Sequence, residues 1–254
     1  MPEKRIYQNK SVPRSNLGEW RSIEFECIFK DDEAIEEFVA YVEGKEYDQF
    51  ITIKYDGSIE INDESGDEDR EVVVSYRVGE ERIVKDVCKF LTKVATVNKS
   101  CGTHIHFDMR GVEKNVVVKY ANRLAKCVPA LKTILPKSRR NSSWCRMDVN
   151  SFEGHDRYAF VNLLAYNQHK TIEVRGHSGT LNAKKILNWI RICEKIMMGD
   201  VELTETIKTP EELVSKFKFG KKLSAFIDDR FKKLNLPPTP PAIPIPQAPE
   251  GSNI

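Results

Sequence analysis

Three short stretches carry side chains suited to gripping a cation. Ile23-Glu24-Phe25-Glu26 holds two carboxylates two residues apart, His104-Ile105-His106-Phe107-Asp108 holds two imidazoles and a carboxylate, and Ile172-Glu173-Val174-Arg175 holds a carboxylate beside a guanidinium. On an extended chain successive side chains point to opposite faces. Glu24 and Glu26 therefore share a face opposite Ile23, Phe25 and Cys27; His104, His106 and Asp108 share one opposite Ile105 and Phe107; Glu173 and Arg175 oppose Ile172 and Val174. If the three strands join one sheet with their apolar sides under helices, the other face collects these groups in one place. Solvated faces of amphipathic strands are the plain alternative, but those favour mixed Thr, Lys, Ser and Glu. Paired His and paired Glu are the types that ligate divalent metals, and a carboxylate-rich cluster needs a cation to offset its own repulsion.

The donor types select the ion. An oxygen-dominated set with one or two imidazoles suits Mg or Mn rather than a thiolate-seeking metal. Magnesium among several carboxylates commonly meets phosphate, so a nucleotide is the expected ligand. Neither a P-loop nor a dinucleotide-binding glycine fingerprint is present in the sequence. The phosphate grip must then come from metal and arginines, with Arg139, Arg140, Arg146, Arg157 and Arg175 as candidates.

The elements that would position these groups follow from periodicity. Strands are expected at 22–29, 49–56, 71–78, 103–109 and 171–176, each β-branched or aromatic with polar residues at every second position. Amphipathic helices are expected at 31–43, opened by two Asp residues, at 81–97 and at 183–197. Several strands follow one another without an intervening helix, notably around Asp56 to Glu71, which predicts antiparallel pairing and an α+β fold with helices on one side of the sheet. The acidic stretch DESGDED between two of these strands alternates acids like a calcium loop, but its glycine stands fourth rather than sixth, and it reads as a solvated hairpin tip.

The chain has 254 residues, 40 Lys and Arg against 38 Asp and Glu, and a net charge of +2. A mean hydropathy of −0.47 describes an ordinary globular protein. No basic field exists to hold a nucleic acid or an anionic membrane. No apolar run approaches the roughly 18 residues of a spanning helix, and the charged start lacks a secretory signal, so a cytoplasmic location is expected. The six cysteines are scattered without a Cys-x-x-Cys pair and read as reduced, buried apolar groups. Residues 1–18 are expected to form an arm and 19–230 a catalytic domain, while 231–254 form an extended tail holding seven prolines between Pro237 and Pro249. A docking peptide for an aromatic-lined groove of a protein partner is the tail's second reading.

In their order along the chain these motifs resemble the amidoligases, which belong to the glutamine synthetase-like carboxylate–amine ligases. The resemblance rests on Glu-x-Glu (Glu24, Glu26), Asp-Gly-Ser-Ile (Asp56 to Ile59), Glu71 opening a strand, Gly-x-His-x-His (Gly102, His104, His106), Arg157-Tyr158 with Asn162, Ile-Glu-x-Arg (Ile172 to Arg175) and a closing helix after the last strand. It implies an antiparallel sheet curved around two or more Mg ions that hold ATP, with a small-molecule or peptide carboxylate joined to an amine through an acyl phosphate. By the same resemblance, Glu24, His104 and Glu173 hold one metal while Glu26 and Glu71 hold the other. Arg175 faces the transferred phosphate, His106 lies on the nucleotide side, and Arg140 and Arg146 are further nucleotide candidates.

Two other readings compete. His-x-His-x-Asp also resembles the zinc motif of metallo-β-lactamase-type hydrolases, but Met109 stands where that pattern carries another His. A charged groove serving a non-enzymatic binding module is the second, although binding alone has no need of two His and three Glu on matching faces.

Overall fold

Amphipathic strands bury their apolar side wherever helices can cover it, and here all the long helices gather on one face of a single sheet. The computed structural model describes residues 18–61, 66–146 and 157–236. The N-terminal arm up to residue 17, the proline-rich stretch from 237 and part of the acidic tip lie outside these.

The strands are β1 (Trp20–Phe29), β2 (Ile51–Tyr55), β3 (Glu68–Arg77), β4 (Ala95–Thr96), β5 (Gly102–Asp108), β6 (Val161–Asn162) and β7 (Thr171–Ser178). The helices are α1 (Asp32–Gly44), α2 (Arg82–Val94), α3 (Lys114–Thr133), α4 (Lys137–Arg140), α5 (Leu164–His169), α6 (Ala183–Met198), α7 (Pro210–Phe217) and α8 (Lys221–Asn235). All strand pairs are antiparallel, in the order β2-β3-β1-β5-β7-β6 with β4 also pairing β1. The fold is α+β, as the run of strands without crossover helices predicts. Helix α8 runs through position 230, where the sequence reading ended the domain.

Caps and stripes explain the expected helices. Asp31 accepts a hydrogen bond from the Ala34 amide at 2.7 Å, and Asp32 and Glu33 meet the positive end of α1. Helix α2 buries Ile83, Val84, Val87, Cys88, Leu91 and Val94. Helix α6 also buries Trp189, Ile192 and Ile196: Trp189 meets Phe160 and, on β7, His177, and α3 and α8 pack against the same helix.

Helix α3 runs against local expectation. It contains the β-branched run Val116-Val117-Val118 and Pro129, whose ring denies the ladder a donor. Tertiary contact compensates at that point: Ile207 donates to the Lys126 carbonyl at 2.9 Å and accepts from the Ala130 amide at 3.3 Å. No helix among the described residues is long and apolar enough to cross a membrane.

The covered face carries Ile23, Phe25, Cys27 and Phe29 of β1, Ile51 and Ile53 of β2, Val72 and Val74 of β3, Ile105 and Phe107 of β5, and Ile172 and Val174 of β7, all in one core cluster. Their neighbours in the sequence point to the opposite face. Because β1, β5 and β7 are adjacent and central, the three chemistry-bearing stretches lie side by side.

Candidate active site

The pairing decides who meets whom on that face. Glu24 lies opposite His104 and Ser22 opposite His106 across β1 and β5. His106 in turn lies opposite Glu173 across β5 and β7. Neighbouring strands are about 4.8 Å apart, so Glu24 and Glu173 flank β5 from either side and lean over its imidazoles. Glu24, His106 and Glu173 each offer a ligand atom, and these atoms all lie within 4.8 Å of one another. Among the described residues they are the group able to share an ion.

His104, the histidine that the resemblance pairs with Glu24 and Glu173, sits at the same place but among more carboxylates. Its Nδ1 is 3.2 Å from Glu24 Oε2 and 3.7 Å from Glu173 Oε1, and its Nε2 is 3.3 Å from Glu26 Oε1. The strand pairing shifts by one residue between Thr103 and Ile105, just where His104 stands. His106 Nε2 lies 3.0 Å from Glu24 Oε1, while its Nδ1 meets Thr171 Oγ1 at 2.9 Å.

Glu26 and Glu71 occupy opposite positions on β1 and β3, a like-charge pair across the sheet. Glu26 accepts from the Gly102 amide at 2.5 Å, and Glu71 is paired with Lys54 of β2 at 2.6 Å. Gly102 has no room for a side chain: a Cβ there would stand 2.7 Å from His104 Nε2 and 3.2 Å from both Arg139 and Glu26. On β7, Glu173 pairs with Arg175 through Oε1 and accepts from Asn162 Nδ2 through Oε2 at 2.6 Å.

This crowding moves the titrations apart. Burial works against the charge on Glu24, but His106 and His104 outweigh it and hold the carboxyl well below the usual range. Burial also opposes a charge on His106, yet Glu24 and Glu173 raise its pKa to about 9. Glu71 is pushed up to about 8, first by burial and then by the charge of Glu24. A carboxylate resisting ionisation among other carboxylates, beside oxygen and imidazole donors within common reach, is the donor set of a hard divalent cation.

The arginines separate cleanly. Arg175 is at the site. Arg139, buried on α4, donates to the Arg175 carbonyl at 2.9 Å, while Arg140 turns away. Arg140 donates to the carbonyls of Leu135 at 2.7 Å and Thr133 at 2.9 Å and to Asn235 Oδ1 at 2.9 Å, closing the C-terminal end of α3 against α8. The side chain of Arg146 is exposed, and its backbone bridges to Ala159. Arg140→Ala is accordingly expected to lower stability by about 2 kcal/mol in chemical denaturation; unchanged stability would show that these bonds do not hold the end of α3.

Asp108 does not join the histidines around a common ion. Arg110 clamps both of its oxygens, at 2.8 and 2.7 Å. His177 lies 5.5 Å from the Trp189 ring, where burial lowers its pKa to about 4. His169 is edge-on to His106 at 6.2 Å, and His155 lies outside the described residues. The His-x-His-x-Asp pattern therefore does not assemble the metal shell of a hydrolase among the described residues.

Two of the three donors, Glu24 and His106, also line a groove of about 480 Å³ that runs over β1, β2, β3 and the end of β5, with Trp20, Lys54, Asp108 and Thr171 among its walls. Lys54 and Thr171 were readable by alternation, since Thr52 and Lys54 oppose Ile51 and Ile53, and Thr171 stands two residues before Glu173. Nothing local distinguishes Arg139 from Arg140.

A family model described as "putative amidoligase enzyme" matches residues 29–152 and 147–197. The chain belongs to that family. The matched span contains His104, His106, Glu173 and Arg175 and begins just after Glu24 and Glu26. Membership makes this amidoligase an enzyme of the ligase type. No curated protein matches the sequence.

Proposed function

We propose that this amidoligase joins a carboxylate to an amine with cleavage of ATP, at a Mg or Mn site built from Glu24, His106 and Glu173, with His104, Glu26 and Glu71 around it. The observation that carries the reading is the meeting of those three donors within 4.8 Å on the open face of an antiparallel sheet, in a chain of the amidoligase family. The metal, when bound, would offset phosphate charge. The remaining chemistry falls to the substrates and to this chain's side chains.

In the first step a carboxylate oxygen of the substrate attacks the γ-phosphorus of ATP, and the bond to the β–γ bridging oxygen breaks, releasing ADP and leaving an acyl phosphate. Arg175, held in place by Glu173 and over the Tyr158 ring, offers guanidinium N–H groups to the phosphoryl oxygens as charge spreads over them. In the second step the amine nitrogen attacks the acyl carbon, phosphate departs, and the nitrogen loses its proton to a carboxylate of the face or to solvent. No protein nucleophile is required, and all six cysteines are buried.

The test is ADP release with Mg, screened against panels of carboxylates and amines, with mass spectrometry of the product. ADP formation that needs both substrates, together with a condensed mass lacking one water, is the expected result. Absence of nucleotide turnover across the panels, with stoichiometric tightly held zinc in the purified protein, would reject the ligase and favour a hydrolase.

A further inference from the structure

Across Arg175 from the three donors stands an aromatic corner that the mechanism above leaves unused. Trp144 is 49% exposed, high for so large an apolar side chain. Tyr158 meets it edge to face, with centroids 5.2 Å apart and planes at 83°. Guanidinium groups flank the Tyr158 ring, that of Arg157 at 5.1 Å and that of Arg175 at 6.0 Å.

The corner is built, not an accident of one side chain. Ser142 Oγ accepts from the Trp144 amide at 3.1 Å, fixing the turn that presents the indole. The Arg146 amide donates to the Tyr158 carbonyl at 2.7 Å and the Phe160 amide to the Arg146 carbonyl at 2.9 Å, pinning the two aromatic segments together. Arg175 connects this corner to the donors, with Nε 3.5 Å from the Trp144 carbonyl and its other end on Glu173.

Arg139 supplies the second sign. It is 3% exposed, donates to the Arg175 carbonyl, and its Nε has no hydrogen-bond partner among the described residues. A buried guanidinium with an unspent donor beside a cation site asks for an anion. The groove on the β1–β3 side of the donors, which Glu24 and His106 help to line, carries cations that are already paired, Lys54 with Glu71 and Arg110 with Asp108.

We infer that the Trp144–Tyr158 corner is the platform for the base of a nucleoside triphosphate, whose phosphates run past Arg175 and Arg139 to Glu24, His106 and Glu173. The inference rests on the ATP-dependent reading and adds to it a direction. The nucleotide enters over β6 and β7, which leaves the groove over β1 and β3 to the molecules being joined.

Calorimetric titration of the full chain with ATP, ADP and inorganic tripolyphosphate, each with Mg, tests it. Base stacking on an aromatic side chain is worth about 1–3 kcal/mol, so Trp144→Ala should weaken ATP and ADP binding roughly tenfold or more. Tripolyphosphate, which has no base, should bind the variant as it binds the parent, and Trp144→Phe should restore most of the nucleotide affinity. Of the chain's three tryptophans Trp20 and Trp189 are buried, so nucleotide should quench fluorescence in the parent and much less in Trp144→Ala. Equal ATP affinity in parent and Trp144→Ala would overturn the platform while leaving the ligase reading intact, and so would a parallel loss of tripolyphosphate binding. A parent chain that binds no nucleotide at all would remove both.

Discussion

On the proposed ATP-dependent reaction, Glu173→Gln should reduce ADP release by about a hundred- to a thousandfold, the usual cost of removing one preorganised electrostatic group. The substitution keeps the volume and deletes the charge. Glu173 is 4% exposed, belongs to the group of three donors, anchors Arg175 and accepts from Asn162. Glutamine would turn one acceptor into a donor facing either Asn162 or Arg175, so the arginine loses its fixed position and the proposed cation site loses a charged donor. Two readouts belong together: steady-state ADP release, and binding of Mn followed by electron paramagnetic resonance. Both should fall, while circular dichroism shows an intact fold, since β7 retains its apolar Ile172 and Val174 in the core. Full turnover in Glu173→Gln would take this residue out of the centre.

Gly176→Ala should be strongly destabilising, because the added methyl has no space to occupy. A Cβ there would lie 1.8 Å from Phe160 Cε2 and 2.4 Å from its Cδ2. Phe160 cannot retreat easily, being 1% exposed and edge-on to Trp189 at 6.2 Å. Overpacking of this severity costs about 3 kcal/mol or more, which for a domain of this size lowers Tm by about 10 °C. Because Gly176 follows Arg175 directly, the proposed nucleotide binding should weaken as well. Gly44→Ala at the end of α1 is the matched comparison, since no atom lies within 4 Å of that Cβ; it should leave Tm unchanged or slightly raised. Equal melting temperatures for the two variants would show that β7 and Phe160 are not in close contact.

Much of the sheet was legible because a strand's two faces are set by a period of two. Ile23, Phe25 and Cys27 had to oppose Glu24 and Glu26 whatever the strand paired with, and the stripe Ile83, Val84, Val87, Leu91 and Val94 had to form one side of a helix. Helix α3 was not legible, because its valine run and Pro129 contradict the helix locally and Ile207, far along the chain, completes the ladder. Arg140 illustrates the same limit at the site: an arginine beside Arg139 has the same composition and charge, and the turn of α4 alone sends one toward Arg175 and the other to the end of α3.

The sequence by itself determined the inventory of the face: Glu24, Glu26, His104, His106, Glu173 and Arg175 follow from residue type and alternation, which are properties of a local stretch of backbone. Tertiary structure decided the company each keeps. Placing β5 between β1 and β7, and shifting its pairing by one residue beside His104, brings His106 within 4.8 Å of Glu24 and Glu173, sets Lys54 on Glu71 and raises the Trp144–Tyr158 corner beyond Arg175. Strand order and register are chosen by the burial of the whole core, and no segment carries that information alone.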